Sequence, residues 1–342
     1  MGVQLGDVVP RKEISLEELR GKVIAIDAMN TLYQFLSIIR QRDGEPLKDS
    51  KGRVTSHLSG LFYRTANLIG LGIWPVFVFD GEPPKLKSRT LKERRTIRAE
   101  AERAYKEALE AGDIVEARKQ AQRAARLTKE MAGEAMELLR RMGVAYIQAP
   151  GEGEAQAARL VQLGDAWAVA SQDFDSLLFG APVLVRNVAI TGRRKMPGKD
   201  VYAEITPEFI ELQEMLKKFE IDRRGLIAVG ILVGTDYNRG VKGIGPKKAL
   251  KLVKEHGSIE EIIRAGVAGE FDVDPLEVEK IFLNPNVTND YELKWSDPDP
   301  DGIKEFLCEE HDFSESRVQT GIDRLFKGAR TRMQESLEKW LG

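Results

Sequence analysis

The stretch PGEGEAQAARLVQLGDAWAVASQDFD, residues 150–175, places acidic side chains at both ends of one helix-then-strand unit. These side chains are Glu152, Glu154, Asp173 and Asp175. Residues 155–163 are helix-forming and apolar on one face, and Gly164 is a natural helix stop. Residues 167–170 form a short apolar run that predicts a buried strand. We therefore expect both acidic pairs to lie in loops.

The two acidic pairs differ in what they indicate. A Glu-x-Glu at the start of a helix is, on its own, typical of a device that stabilises the positive end of the helix dipole. An Asp-x-Asp just beyond the carboxyl end of a strand is different, because ligand sites in open α/β sheets form there. Since such acids repel one another, the second pair favours a bound cation.

Two other apolar runs also lead into an aspartate. Residues 23–26 precede Asp27, and residues 74–79 precede Asp80. If the strands are parallel, their carboxyl ends share one edge, where all these acids converge. A seventh acid, Asp236, follows the glycine-rich apolar segment LIAVGILVGTD. An all-oxygen set without His or Cys favours Mg²⁺ or Mn²⁺ over zinc, and so many acids suggest two ions, as in phosphoryl displacement.

The composition excludes several classes of protein. At 342 residues the chain is long enough for one large or two modest domains. Its single cysteine, Cys308, excludes an internal disulfide framework and indicates a reducing compartment. The N-terminus has no apolar signal segment, and the longest apolar runs are too short to span a bilayer. We expect a soluble cytoplasmic protein without a membrane partner.

The distribution of charge indicates a nucleic-acid partner, although the total does not. Lys plus Arg number 52 and Asp plus Glu number 54, which gives a formal net charge of −2. Between residues 85 and 129, however, there are 14 basic and 7 acidic side chains. Most of these fit an ordinary solvated helix face. Lys87, Arg94 and Arg98 fall on one side of the predicted helix, beside the acids, where a basic stripe suits a phosphodiester.

The segment GIGPKKA, residues 243–249, predicts a hairpin that leads into a helix beginning at Pro246. N–H groups exposed at that helix start, together with Lys247 and Lys248, can hold a DNA phosphate without reading sequence. The alternative is an ordinary glycine turn with a proline helix start. We favour phosphate binding because lysines follow the turn. Pro207 is likewise predicted to begin a helix.

Taken together, these motifs resemble those of the flap endonucleases, the structure-specific members of the XPG-type nuclease family. The resemblance covers nearly the whole chain and rests on seven motifs in order, MGVQLGDVV, VIAIDAMNTLYQFL, TSHLSGLFYRT, PVFVFDGEPPKLK, APGEGEAQAA, SQDFDSLLFG and GTDYNRGVKGIGPKKA. It implies an α/β fold with a mostly parallel central sheet flanked by helices, a PIN-like nuclease core, a helical arch and a helix-hairpin-helix DNA-binding motif.

The resemblance also implies a division of the chain into five regions. These are an N-terminal nuclease region (1–84), a helical arch (85–135), an internal nuclease region (136–220), a helix-turn-helix DNA-binding and C-terminal region (221–330), and a sliding-clamp-binding tail (331–342).

The family's functional residues map onto this sequence. The first Mg²⁺ is implied to bind Asp27, Asp80, Glu152 and Glu154, and the second Asp173, Asp175 and Asp236. The catalytic basic residues of the arch match Lys87 and Arg94. The DNA contacts match Tyr33 (stacking), Arg40, Arg64, Glu152, Gly234, Asp236, Gly243, Gly245, Lys247 and Lys248. The hairpin at 243–248 is implied to hold K⁺, and Gly2 to lie near the site.

The C-terminal tail implies a partner. Gln334, Leu337 and Trp340 fit the pattern Gln-x-x-aliphatic-x-x-aromatic of peptides that bind the sliding clamp PCNA. Leu341 replaces the usual second aromatic residue, a change expected to affect affinity more than the mode of binding. The alternative for the tail is a terminal amphipathic helix.

The implied activity is that of a monomeric, Mg²⁺-dependent 5′ flap endonuclease, with Mn²⁺ as a substitute ion and with 5′–3′ exonuclease activity. It would act on nicked or branched DNA of the nucleoid in Okazaki fragment maturation and base excision repair. Two other classes stay open. A small-molecule Mg²⁺ phosphohydrolase would also use strand-end aspartates, and a catalytically silent, clamp-bound DNA-binding protein would keep the hairpin and the arch.

Overall fold

The computed structural model describes residues 2–41, 44–190, 192–195 and 202–341, and for 190, 192–195, 202–204 and 332–341 it describes the backbone alone. Its strands are β1 (Lys12–Glu13), β2 (Val23–Asp27), β3 (Trp74–Phe79), β4 (Tyr146–Gln148), β5 (Ala168–Ala170), β6 (Val183–Arg186), β7 (Gly192–Lys195), β8 (Tyr202–Ile205) and β9 (Glu208–Glu211). Seven of them form one sheet in the order β1-β9-β6-β5-β2-β3-β4, and β7 pairs with β8 separately.

Helices surround the sheet on both faces. They are α1 (Ala28–Ile38), α2 (Ser56–Gly70), α3 (Ser88–Glu110), α4 (Ile114–Arg123), α5 (Lys129–Arg141), α6 (Gly153–Leu163), α7 (Asp175–Leu178), α8 (Leu212–Phe219), α9 (Arg223–Val233), α10 (Pro246–His256), α11 (Ile259–Ala265), α12 (Pro275–Leu283), α13 (Pro300–Lys304) and α14 (Glu315–Leu341). Among the described residues, no helix has the length and apolar character that crossing a membrane would need. The predicted α/β class is confirmed.

The central strands are apolar because they are covered on both faces. Strand β2 pairs in parallel with β3 and with β5. Its successive side chains point to opposite faces, so Ala25 joins one core while Ile24 and Ile26 join the other. Parallel strands place their carboxyl ends at one edge, and here Asp27 ends β2 while Asp80 and Asp173 follow β3 and β5. The sheet therefore delivers acids to one edge.

The antiparallel edge corrects one expectation. Pro207 does not begin a helix; it precedes β9, which pairs antiparallel with β6 and with β1. The carbonyl of Pro207 accepts the N–H of Ile14 at 3.0 Å, so the proline lies at the start of the strand pairing. A proline tolerates that position because its missing N–H is not needed there. The helix begins at Leu212 instead.

One residue of each acidic pair lies in a helix and not in a loop as expected. Glu152 and Asp173 do lie outside helices, but Glu154 is in the first turn of α6 and Asp175 is the first residue of α7. That expectation was wrong for one member of each pair. Both residues are at helix N-termini, where negative charge is stabilised by the unpaired N–H groups.

Helices α3 and α4, with the short 3-10 turn Lys85–Lys87 before them, form a helical hairpin between β3 and β4, which we refer to as the arch. They pack against each other through small side chains, since Ala101, Ala108, Ala117 and Ala121 are buried. Asp113 caps the start of α4 by accepting the N–H of Glu116 at 3.0 Å. The arch therefore consists of two helices joined by a tight turn, and α5 follows it.

Replacing Gly60 by Ala should destabilise the protein, because the added Cβ would lie 2.2 Å from Cγ of Phe35, where α2 crosses α1. Overpacking of this kind costs about 1–3 kcal/mol of the free energy of unfolding. The matched control is Gly133→Ala in α5, whose Cβ would meet nothing within 4 Å. That variant should gain about 0.5–1 kcal/mol. Urea unfolding measures the free energy of unfolding of both variants. An unchanged value for Gly60→Ala would contradict the packing argument.

Candidate active site

Seven carboxylates line one open cavity of about 690 Å³ at the carboxyl edge of the parallel strands. They are Asp27, Asp80, Glu152, Glu154, Asp173, Asp175 and Asp236. The cavity is also lined by Lys87 and Arg94 from the arch and by Tyr33 from α1. The convergence predicted from the strand ends is therefore confirmed, and it includes Asp236, which follows a helix rather than a strand.

The two acids at the ends of β2 and β3 are each fixed by a backbone N–H group at the start of a helix. Asp27 caps α1 and accepts the N–H of Asn30 at 3.0 Å. Asp80 accepts the N–H of Gly153 at 2.7 Å. A side chain at Gly153 would place its Cβ 2.8 Å from Asp80 Oδ1, so the glycine allows the start of α6 to approach the carboxylate.

Three further acids are held by neighbouring polar groups. Glu154 accepts the hydroxyl hydrogen of Ser171 at 2.7 Å, and Asp173 accepts Nδ2 of Asn30 at 2.9 Å. Asp175 accepts the N–H of Val3 at 2.7 Å. The N-terminal segment thus lies against the acids, as expected for Gly2, whose added Cβ would be 2.5 Å from Asp175 Oδ2.

Burial makes the charge of these acids costly. It raises the pKa of Asp27 to about 8, with a further contribution from Asp80, and that of Asp175 to about 7, with a further contribution from Asp236. The pKa of Glu154 is raised well above its usual range, again first by burial and then by its acidic neighbours. A cluster with these properties is stabilised by bound positive charge.

Two basic side chains of the arch supply part of that charge. The Lys87 ammonium contacts Glu152 and lies 3.4 Å from Asp236 Oδ2. The Arg94 guanidinium donates to Asp236 Oδ1 at 2.5 Å. Burial alone would lower the pKa of Lys87, but Glu152, Asp236 and Asp80 raise it more, so the net pKa is above its ordinary value. Lys87 is therefore charged at neutral pH.

The donor set fits divalent metal ions of the hard type. All seven ligand candidates are carboxylates, and Oε1 of Glu152 is buried without a hydrogen-bond partner. Within the described part of the chain, no three acidic, His or Cys side chains are already arranged closely enough to hold a metal ion, and Asn30, Ser171, Lys87 and Arg94 contact the acids. Mg²⁺ and Mn²⁺ prefer oxygen donors of this kind.

The other predicted DNA-contact residues fall in three places. Tyr33 lines the acid cavity, and its ring lies 5.5 Å from the Arg98 guanidinium. Arg40 lines a second cavity of about 300 Å³ under the arch, where its guanidinium donates to the Gly44 carbonyl at 2.8 Å. Arg64 lies on α2, and burial lowers the pKa of both arginines. The structure does not bring Arg40 or Arg64 into the acid cavity.

The glycine-rich hairpin has the predicted form. Gly243 has a φ of +80°, a conformation that favours glycine, and Gly245 caps α10 with Pro246 at its first position. Lys247 and Lys248 are exposed at this helix start. Gly234 has a φ of +111°, and a Cβ there would lie 2.8 Å from the Arg239 carbonyl oxygen, so both its backbone conformation and its surroundings favour glycine.

The sequence reasoning missed the polar residues that hold the acids. Asn30 and Ser171 each contact a carboxylate, and Thr90 Oγ1 donates to the Asp236 carbonyl at 2.7 Å. Asn30 could have been found from the sequence, because it lies three residues after Asp27, the residue that caps the start of α1. The predicted clamp-binding side chains Gln334, Leu337, Trp340 and Leu341 lie outside the described side chains.

Comparison with known proteins adds independent observations. The family model for the XPG N-terminal domain matches residues 1–101, and the model for the XPG I-region matches residues 143–236. A relative from Pyrococcus abyssi, "Flap endonuclease 1", is 58% identical over 341 residues, which cover 99% of this chain and 98% of that protein. A relative of the same name from Aeropyrum pernix is 55% identical over 350 residues and covers 100% of both chains.

Solved structures give a similar result. The flap endonuclease-1 from Methanococcus jannaschii superposes with a TM-score of 0.77 at 44% identity, over 97% of this chain and 100% of that one. The catalytic core of Rad2 in complex with DNA substrate superposes with a TM-score of 0.69 at 26% identity, over 94% and 97% of the two chains.

Replacing Asp27 by Asn should stabilise the metal-free protein at alkaline pH. Because the folded pKa of Asp27 is about 8 and the ordinary value is 3.8, the wild type should lose stability as pH rises through that window. The Asn variant keeps the acceptor for the Asn30 N–H and should lose less stability than the wild type as pH rises. Thermal unfolding in chelator from pH 5 to pH 9 measures this, with exposed Asp297→Asn as control. Equal pH slopes for both variants would refute the electrostatic account.

Proposed function

The chain belongs to the flap endonucleases of the XPG-type nuclease family, and from that premise we propose that it is a structure-specific 5′ flap endonuclease with 5′–3′ exonuclease activity. It hydrolyses a phosphodiester near the junction of a 5′ flap with duplex DNA, in Okazaki fragment maturation and base excision repair. The observation that supports this most is the cavity in which seven carboxylates face Lys87 and Arg94.

The proposed cofactors are two Mg²⁺ ions, for which Mn²⁺ is expected to substitute. Asp27, Asp80, Glu152 and Glu154 would hold the first ion, and Asp173, Asp175 and Asp236 the second. When bound, such ions lower the pKa of a water molecule and stabilise the attacking and leaving oxygens of an in-line displacement. The proposal draws support from the oxygen-only donors and from the burial that raises the pKa values of Asp27, Glu154 and Asp175.

In this proposal the arch supplies positive charge to the scissile phosphate. Lys87 and Arg94 reach the acids from the base of the arch, so a phosphate in the cavity would lie between them and the carboxylates. They would stabilise the charge that develops on the phosphate oxygens, an effect that is strong where water is excluded. Tyr33, at the cavity wall, would stack on a base of the DNA.

The remaining DNA contacts would position the duplex. Gly243, Gly245, Lys247 and Lys248 offer backbone N–H groups and two ammonium groups to a phosphate, with K⁺ proposed at the same hairpin. Arg40, Arg64 and Gly234 would contact the DNA backbone elsewhere. These contacts read no sequence, which suits an enzyme that recognises the shape of a junction.

The tail would provide a partner contact. Residues 331–342 are proposed to bind the sliding clamp through Gln334, Leu337, Trp340 and Leu341, while the enzyme itself acts as a monomer. The arch would comprise residues 85–135, between the nuclease regions 1–84 and 136–220, and residues 221–330 would carry the duplex contacts.

The test of this function is cleavage of an end-labelled double-flap DNA beside a single strand of the same sequence, with Mg²⁺ and with chelator. We expect metal-dependent cutting confined to the flap junction. Equal cutting of both DNAs would discard junction specificity. Absence of cutting would favour a clamp-bound DNA-binding protein without activity.

Replacing Asp175 by Ala or Asn should abolish flap cleavage and leave DNA affinity largely unchanged. The Asn variant is the sharper one, because its amide oxygen still accepts the N–H of Val3 that Asp175 accepts at 2.7 Å. Only the carboxylate charge needed for the second ion is then lost. Single-turnover cleavage and binding of the same flap DNA in Ca²⁺ measure the two effects. Undiminished cleavage by either variant would contradict the assigned site.

A further inference from the structure

Four charged residues form a ring at the base of the arch, made of three ion pairs and one backbone hydrogen bond. They are Arg89 and Glu93 of α3, Arg239 of the segment between α9 and α10, and Asp272 of the loop between α11 and α12. Arg89 contacts Asp272, Arg239 contacts Glu93, and Arg89 Nε lies 3.8 Å from Glu93 Oε1. The backbone N–H of Arg239 completes this ionic ring, at 3.3 Å from each carboxylate oxygen of Asp272.

The ionic ring lies beside the contacts that α3 makes with the active site. Thr90 and Arg94 are the next residues along the helix after Arg89 and Glu93, and both contact Asp236, through its carbonyl and its carboxylate. Asp236 is three residues before Arg239. The short segment 236–239 therefore holds the base of α3 at two adjoining points, at Asp236 within the acid cavity and at Arg239 in the ionic ring.

That segment is itself firmly attached to the body of the protein. Asn238 is buried, its amide donates to the Ile231 carbonyl at 2.7 Å, and its Oδ1 accepts the Thr235 hydroxyl at 2.8 Å. The N–H of Val241 donates to the Leu232 carbonyl at 2.8 Å. Two residues later the chain enters the hairpin proposed to bind duplex phosphate. The ionic ring thus connects the arch to the support of that hairpin.

The base of the arch is held by the polar contacts of Lys87, Thr90 and Arg94 and by the half-buried Leu86, which packs against the core, but it buries no side chain fully. The buried residues of α3 are Ala101 and Ala108, both in the second half of the helix, so residues 88–100 bury no side chain. An isolated surface ion pair contributes little, since it orders two long side chains in high dielectric. In the ionic ring Arg89 and Glu93 each have two charged partners, so ordering either side chain serves two contacts.

We propose that the ionic ring positions Arg94 for the cleavage reaction. Arg89, Glu93, Arg239 and Asp272 are on this account positioning residues that act through Arg94, not groups that touch the DNA phosphate. The inference rests on the proposed nuclease function. It adds that the position of the arch is set from the side of the duplex-binding hairpin, by residues far apart in the sequence.

Asp272→Asn is the decisive variant, because it removes one shared charge without adding bulk or positive charge. We expect its single-turnover rate at saturating flap DNA to fall about two- to fivefold, as for loss of one weak ion pair and weakening of the hydrogen bond from the Arg239 N–H, with an unchanged Kd. Asp272→Glu should recover most of the rate. Glu93→Gln should behave like Asp272→Asn. Its control is Glu102→Gln, farther along α3, where Glu102 pairs with Lys106 at 3.6 Å and no rate loss is expected.

Combination with Arg94→Ala separates positioning from a general structural effect. If the ionic ring acts through Arg94, Asp272→Asn should cause no further loss in the Arg94→Ala protein. The same fractional loss in both backgrounds would overturn the proposal, as would a wild-type rate for Asp272→Asn.

Hydrogen exchange without DNA gives a readout that does not depend on catalysis. Asp272→Asn should speed the exchange of amides in residues 88–98 and leave those of β2 and β3 unchanged. Unchanged exchange in α3 would overturn the proposal. If the wild type cut no flap DNA, the proposed function would fail, while the exchange measurement would still test the ionic ring.

Discussion

Repulsion among seven carboxylates in one cavity is the constraint on which the rest of the structure depends. Two like charges about 4 Å apart repel by about 4 kcal/mol at an effective dielectric constant near 20, so an uncompensated cluster would bind protons instead. Backbone N–H groups of Val3, Asn30 and Gly153 offset part of this repulsion. The arch offsets more of it through Lys87 and Arg94, and the donor set leaves the remainder to bound cations.

The acids and the basic residues that face them are supported in different ways. Asp27, Asp80 and Asp173 follow strands that are buried on both faces, so their positions are fixed by the core. Lys87 lies just before α3 and Arg94 lies in its first half, where no side chain is fully buried. The site therefore combines acids fixed by the core with basic residues held by polar contacts. Parts of a protein with few buried apolar contacts open most easily, so we expect the basic side of the site to open before the acidic wall, the set of carboxylates at the sheet edge.

The sequence was informative where one local pattern decides the structure. Buried strands that end in aspartate correctly predicted that Asp27 and Asp80 lie at the carboxyl edge of the sheet, and GIGPKKA predicted the hairpin and the start of α10. Pro207 was misjudged because the same residue suits a helix start and the approach to an edge strand. The two-residue strand β1 has no pattern of its own, since its register is set by β9.

Contacts between distant segments had no such pattern. Arg239 and Glu93 are 146 residues apart, and Arg89 and Asp272 are 183 apart, so nothing in either local sequence identifies the partner.

The packing of α3 on α4 through buried alanines has a different consequence. Because the arch is an insertion whose two helices pack mainly on each other, its length and tip can change over evolution without disturbing the sheet. A change at its tip, residues 111–113, would therefore leave the acids at the sheet edge in place.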